Sequence, residues 1–272
     1  MSGREFSEII AHWRLPKGDS FLDRVEKMIR PALAGGYFGA SYTRFVAGIQ
    51  YHLGGETDTA ELANLAHIKS SDHILDACCF IGGPALQLLE TFACRVTGID
   101  IAENCILAAN RIMHLTKLTP LSNFYVADAE NLPFKDEVFT VVWNQASLPH
   151  KESWLKEFDR VLIPRGRFAF TFQFRGVNST EKDPFSTWTI QDVVALLKNL
   201  GYTVEHVEDL TARDIEIGWM ALDQRLSEQR REFAELLGEE WVNKAHNAFM
   251  EEIWKMKNGL WGNARIIARK GK

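Results

Sequence analysis

The chain has 272 residues, 46% hydrophobic and 25% charged, with a formal net charge of −5. That is enough chain for one large domain with a full hydrophobic core, and the mixture excludes wholesale disorder. The acidic balance argues against a sequence-independent grip on nucleic acid, and no apolar run reaches the ~18 residues of a membrane span.

Arg4, Glu5 and Glu8 stand where an export signal would need apolar residues. Cys78, Cys79, Cys94 and Cys105 form no C-x-x-C pair, so neither a zinc site nor a disulfide framework is expected. Buried reduced thiols in a cytoplasmic protein are one reading of these cysteines. A vicinal Cys78–Cys79 pair that senses redox state or binds a soft metal is the other.

Residues 1–66 read as a helical cap broken at Pro16, Pro31 and the Gly35–Gly36 pair. From residue 72 onward, short apolar runs alternate with helical patterns. Strands are predicted over 73–79, 95–100, 123–127, 138–143, 167–174, 203–207 and 264–268. Helices are predicted over 84–92, 103–117, 154–162 and 189–200, the last closed by Gly201. In the strand at 167–174, Phe168, Phe170, Phe172 and Phe174 share one face. Residues 211–262 read as two helices, with apolar stripes Ile215, Trp219, Leu222, Leu226 and Phe249, Ile253, Met256. The alternation predicts an α/β fold: an open, doubly wound, mostly parallel sheet with helices on both faces. An N-terminal helical cap (1–66) and a helical lid (211–262) flank the core (67–210), and a final core strand falls in 263–272. Ligands of such a sheet bind at the carboxyl ends of its strands.

The chemistry is concentrated in Ile74-Leu-Asp-Ala-Cys-Cys-Phe-Ile-Gly-Gly-Pro-Ala-Leu86 and Val96-Thr-Gly-Ile-Asp-Ile101. Here the chain resembles the class I S-adenosylmethionine-dependent methyltransferases, in particular the small-molecule branch with the tocopherol and sarcosine enzymes. The resemblance extends to Ala127-Asp-Ala-Glu-Asn-Leu-Pro-Phe134, to Val142-Trp-Asn-Gln145, to Arg160-Val-Leu-Ile-Pro-Arg-Gly-Arg167 and, in the cap, to Tyr51-His-Leu-Gly-Gly55. It implies a seven-strand-type Rossmann-like core that transfers a methyl group from S-adenosylmethionine to a small molecule. It also implies that Asp76, Phe80, Gly82 and Gly83 surround the methionine end of the cofactor. Asp100, Ile101, Asp128 and Ala129 would hold its nucleoside, and Asn144, at the end of the fourth strand, would also bind the cofactor. A dehydrogenase is disfavoured, because the strand–turn–helix junction lacks G-x-G-x-x-G. A DNA amino-methylating enzyme is disfavoured too, because Asn144-Gln-Ala-Ser147 replaces the motif expected there.

The turn departs from the family pattern at Cys78 and Phe80, both glycine in relatives so that the backbone can bend tightly. Three readings follow. The turn shifts, using Gly82 and Gly83, and the usual cofactor binds; or the site takes a modified methionine cofactor or a folate; or the chain is a non-catalytic methyltransferase-like subunit that activates a partner. Methyl transfer needs alignment of donor and acceptor more than a dedicated base. His150 is nonetheless the candidate base or substrate-orienting group, and His52 could act over the cofactor; each could equally be a structural histidine. Asp76 binds the cofactor's amino end or supports the turn. Tyr37, Trp188 and Trp219 are the aromatic candidates for substrate contact, against core packing as the alternative. The expected partner is a small molecule, with no nucleic acid, membrane or metal, and a homodimer is left open.

Overall fold

The computed structural model describes residues 49–147, 152–179 and 188–272. Seven strands form one sheet: β1 (His73–Ala77), β2 (Arg95–Asp100), β3 (Ser122–Val126), β4 (Phe139–Asn144), β5 (Leu162–Arg175), β6 (Thr203–Asp209) and β7 (Trp261–Arg269). Their order is β3-β2-β1-β4-β5-β7-β6, and only β7 runs antiparallel to its neighbours. The chain steps outward from β1 to β2 and β3, then crosses to the other side of β1 to lay down β4. That reversal separates the chain crossings above the ends of β1 and β4 and leaves a crevice there.

Helices cover both faces. On one lie α1 (Gly55–Leu65), α2 (Gly83–Phe92) and α3 (Glu103–Leu115), sealing a core with Leu62, Leu86, Leu89, Ile112 and Met113. On the other lie α4 (Glu152–Val161) and α5 (Ile190–Asn199), packed on Phe168, Phe170 and Phe172 of β5. Each of these rings is at most 2% exposed, a burial that contributes about 1.5–3 kcal/mol per side chain. Thr189 and Asp192 close a capping box that starts α5, which supplies partners for two orphan backbone donors.

The insert between β6 and β7 differs from the two predicted helices. A π-helical turn, Asp214–Met220, leads into α6 (Ala221–Glu228), followed by α7 (Arg230–Leu237) and α8 (Glu239–Lys257). Gly238, at φ +90°, breaks the path between α7 and α8 where periodicity alone suggests continuity. Trp219, Leu226, Phe249, Ile253, Met256 and Trp261 form the insert's own core, so both predicted stripes do face inward.

Two strands are longer than their sequence suggests. β5 begins at Leu162 because 163–166 bulge out of the ladder, with pairing passing from Phe139–Leu162 to Val141–Arg167. β7 begins at Trp261 because it lies inside the sheet, where polar Asn263 and Arg265 find buried partners.

Candidate active site

The crevice at the switch point is a cleft of about 160 Å³, lined among others by Tyr51, His52, Asp76, Cys78, Phe80 and Asp100. The turn that forms its floor keeps a glycine-like backbone without glycine. Cys78 sits at φ +58° and Phe80 at φ +51°, the left-handed region where a side chain is strained, at a cost of about 1–3 kcal/mol each. The turn is held to β2: Cys79 N donates to Ile99 O at 2.9 Å, and Phe80 N donates to Asp100 Oδ2 at 3.0 Å. Gly82, at φ +81°, caps α2. A Cβ on Gly83 would lie 1.9 Å from the Ile49 carbonyl oxygen, so this glycine is required by the backbone that crosses over the helix.

Asp76, next to last in β1, is 2% exposed, and its Oδ2 has no hydrogen-bond partner. Burial, and then the neighbouring Asp100, push its carboxyl up to about 8. A buried carboxyl that lines a cleft and keeps an oxygen without a partner fits a ligand that brings a donor or a positive charge. Asp100, half-buried at the end of β2, accepts from Phe80 N and from Ala102 N at 2.9 Å. Each of its oxygens keeps capacity for one more donor, as a pair of ribose hydroxyls would supply. The Cys78 thiol is pushed up to about 12 by burial and by Asp100, Asp76 and Asp128, and burial, with Asp76 and Asp100, holds the Cys79 thiol well above its ordinary value. Both stay protonated and unreactive at neutral pH.

His52 reaches the cleft but turns both ring nitrogens into protein. The Glu56 carbonyl can only accept, so the Gln87 amide presents NH₂ to it at 2.8 Å and offers Oε1 to Gln50 Nε2 at 2.8 Å. Gln50 Oε1 then faces His52 Nε2 at 3.0 Å and requires the proton to be on that nitrogen. A second chain gives the same answer. Trp143 Nε1 can only donate and the Asp58 carboxylate accepts from Gln145 Nε2, so Gln145 Oε1 receives the Thr59 hydroxyl, whose oxygen lies 3.1 Å from His52 Nε2. His52 Nδ1 faces the Leu53 carbonyl at 3.3 Å and Asp58 Oδ2 at 3.7 Å. Burial outweighs Asp58 and lowers the pKa of the ring. With no lone pair aimed into the cleft, this histidine is placed as part of its wall, not as a base.

Asp58, which the sequence pattern did not single out, is the hub behind that wall. It is 2% exposed and accepts from Gln145, from Arg213 at 3.2 Å and from the buried Arg265 of β7. Glu61, one turn along α1, accepts from the same two arginines at 2.6 and 2.9 Å. The pair at i and i+3 on one helix face was the available signal.

The other predicted residues divide. Asp128 lies exposed at the rim beyond β3, where Ala127 N bonds to Asp100 O at 3.1 Å, and Ala129 packs beneath it. Ile101 is 73% exposed beside Asp100, an apolar surface open to a ligand. Asn144 is a correction: it is fully buried behind the turn, donating to Ala77 O at 2.8 Å, and does not line the cleft. Trp219 is another, packed at 5.8 Å on Phe249 and 6.4 Å on Trp261 inside the insert. Trp188 rests against the core beneath α5. Tyr37 and His150 lie outside the described residues, as do Phe38 and Phe185. Among the described residues no three His, Cys, Asp or Glu side chains are grouped to hold a metal, and no helix is long and apolar enough to cross a membrane.

Residues 75–170 match the model of the methyltransferase domain family. The 27-O-demethylrifamycin SV methyltransferase of Amycolatopsis mediterranei is 35% identical over 114 residues, 41% of this chain and 42% of that protein. Phosphoethanolamine N-methyltransferase 1 of Zea mays is 25% identical over 257 residues, 89% of this chain and 49% of that protein. The chain thus spans less than half the length of either relative. Among solved structures, phosphoethanolamine N-methyltransferase 2 of Haemonchus contortus superposes with a TM-score of 0.78 at 18% identity, over 95% of this chain and 62% of that one. Residues 75–170 of this chain thus match a methyltransferase domain, and the sheet that carries them has the fold of the Haemonchus enzyme.

Proposed function

We propose that the chain transfers a methyl group from S-adenosylmethionine to a small organic molecule by in-line displacement. The observation that carries this is the pairing of Asp76 and Asp100 at the ends of adjacent strands. One has a buried oxygen without a partner and the other has spare acceptor capacity, both beside a left-handed turn. In this reading Asp100, Ile101, Asp128 and Ala129 hold the nucleoside, and Asp76 and Phe80 border the methionine end. Gly82 and Gly83 let the turn and α2 approach it, and Asn144 keeps the turn in place from behind. The Haemonchus protein was solved with S-adenosylhomocysteine and, in another crystal, with S-adenosyl-L-methionine, which supports this cofactor; nothing supports a folate. When bound, it supplies a methyl group on a positively charged sulfur.

What the protein's own residues contribute is alignment and exclusion of water. The wall of Tyr51, His52 and Gln145 closes one side of the cleft. Residues 1–66 serve as its cap and the insert beyond residue 211 as a lid, tied to α1 through Arg213. His150 and Tyr37 remain the candidates for orienting the acceptor, and the compartment is the cytoplasm. Isothermal titration of S-adenosylmethionine into wild type and Asp100→Ala tests the reading: the variant loses binding. Equal affinity in the two proteins would overturn it.

A further inference from the structure

The insert meets the wall of the cleft at two points. At its root Arg213 Nη1 donates to Asp58 Oδ1 of α1 at 3.2 Å and to Asp214 Oδ1 at 3.1 Å, while Nη2 donates to Glu61 Oε2 at 2.6 Å. Further along, Gly218 lies against Leu53, next to His52: a Cβ there would stand 2.9 Å from the Leu53 Cβ. Behind the first contact, Asp58 Oδ2 accepts from Gln145 Nε2 at 2.9 Å, and Gln145 lines the cleft. The backbone after Gln145 is pinned to β5, with Ala146 N donating to Thr171 O at 3.1 Å and Thr171 Oγ1 at 3.0 Å. The side-chain amide of Gln145 is thus what links the cleft to α1.

The Arg213 contact has a second arrangement ready. Arg265, rooted in β7, donates to both Asp58 and Glu61, so each carboxylate keeps a cation when Arg213 leaves, and Arg213 keeps Asp214 of its own insert. The insert can move with it. It closes a core of its own around Trp219, Phe249 and Ile253, and its root is π-helical, a departure from regular helix that recurs at functional sites. We propose that Arg213 is a latch between insert and cleft. A ligand that fixes Gln145 fixes Asp58, and the insert is then held against the wall through Arg213 and Gly218. The coupling is reciprocal: an insert held there holds the wall, and the latch appears as ligand affinity. The proposal rests on the S-adenosylmethionine reading above for its ligand, but the latch residues lie outside the turn and strand ends assigned to that cofactor.

The experiment is amide hydrogen exchange with and without sinefungin, an analogue of S-adenosylmethionine that carries an amine in place of the sulfonium, with binding followed by isothermal titration. In wild type, sinefungin slows exchange by about fivefold or more in the strand and turn over 73–83 and also in the insert over 211–228, the lower end of coupling between sites. Arg213→Met removes the guanidinium; it keeps the first effect, loses the second, and weakens sinefungin binding by about the same factor. Gly218 is outside the left-handed region, so Gly218→Ala leaves the backbone unstrained while its methyl pushes the insert off Leu53. It gives the same pattern, and carries the test if Arg213→Met does not fold. Arg230→Met, at an exposed arginine of the same insert, behaves as wild type. Sinefungin bound without slowing in the insert overturns the latch and leaves the cofactor reading standing. Slowing that survives in both variants overturns it too, as does equal loss in Arg230→Met. If sinefungin does not bind wild type, the cofactor reading fails and the latch fails with it.

Discussion

Asp58 and Asp76 are both 2% exposed, one behind the wall of the cleft and the other lining it, and their surroundings are opposite. Asp58 accepts from a glutamine and two arginines, and its charge is matched within the fold. Asp76 has an oxygen without a partner and a second carboxylate for a neighbour. A buried charge that is paired and hydrogen-bonded belongs to the architecture. One that is not is costly to the empty protein and persists only where a ligand makes use of it.

The largest effect should come from the matched member. Asp58→Ala removes the buried carboxylate of the network and leaves Arg213 and Arg265 on the more exposed Glu61, so chemical denaturation should show a loss of about 2–3 kcal/mol. A loss below 1 kcal/mol would mean the hub is not a paired buried charge.

Asp76→Asn should act in the opposite direction. Its folded pKa lies above the ordinary carboxylate range, so the folded state binds more protons than the unfolded one. Stability is then full below about 4 and declines as pH rises through about 8. The substitution should flatten that decline and raise the Tm of the ligand-free protein at pH 8, while weakening S-adenosylmethionine binding. A Tm lowered at pH 8 would contradict the assignment.

The same acid predicts how binding depends on pH. The titratable groups that line the cleft with Asp76 are Asp100 from β2, Cys78 and Cys79 from the turn, and Tyr51 and His52 ahead of α1. The thiols stay protonated and burial keeps His52 neutral, so Asp76 is the group that titrates near 8. A cation lowers its pKa on binding, so S-adenosylmethionine should bind with proton release below pH 8, and affinity should rise between pH 6 and 9. Titration in buffers of different ionisation enthalpy reads the released proton directly; identical heats in all buffers would contradict it. The smallest effect belongs to the floor of the cleft: Cys78→Gly relieves one left-handed side chain and should stabilise the fold by about 1 kcal/mol, read from the denaturation midpoint.

The comparison also shows what could be read from the sequence. Strand–helix alternation gave the sheet and both its layers, because apolar residues must repeat with the period of the element that buries them. Asp76, Asp100 and the turn between them were legible because local motif and strand end coincide. Asp58 was not. Its partners Gln145, Arg213 and Arg265 are 87, 155 and 207 residues away in sequence, and its one local sign, the i, i+3 spacing with Glu61, does not show that its match arrives from the last strand. The role of His52 was hidden for the same reason, since its proton is placed by a chain of amides that ends at the carbonyl of Glu56. Asn144 and Trp219 misled because a strand-end position and an aromatic stripe indicate only that a residue is buried, not which side of a wall it occupies.

A crystal structure with sinefungin bound tests the central claim most directly. The account predicts its ribose hydroxyls on Asp100 and its amino-acid ammonium within hydrogen-bond reach of Asp76, with Cys78 and Phe80 still in the left-handed region. Sinefungin bound away from Asp76 and Asp100, with the Asp76 oxygen still without a partner, would contradict it.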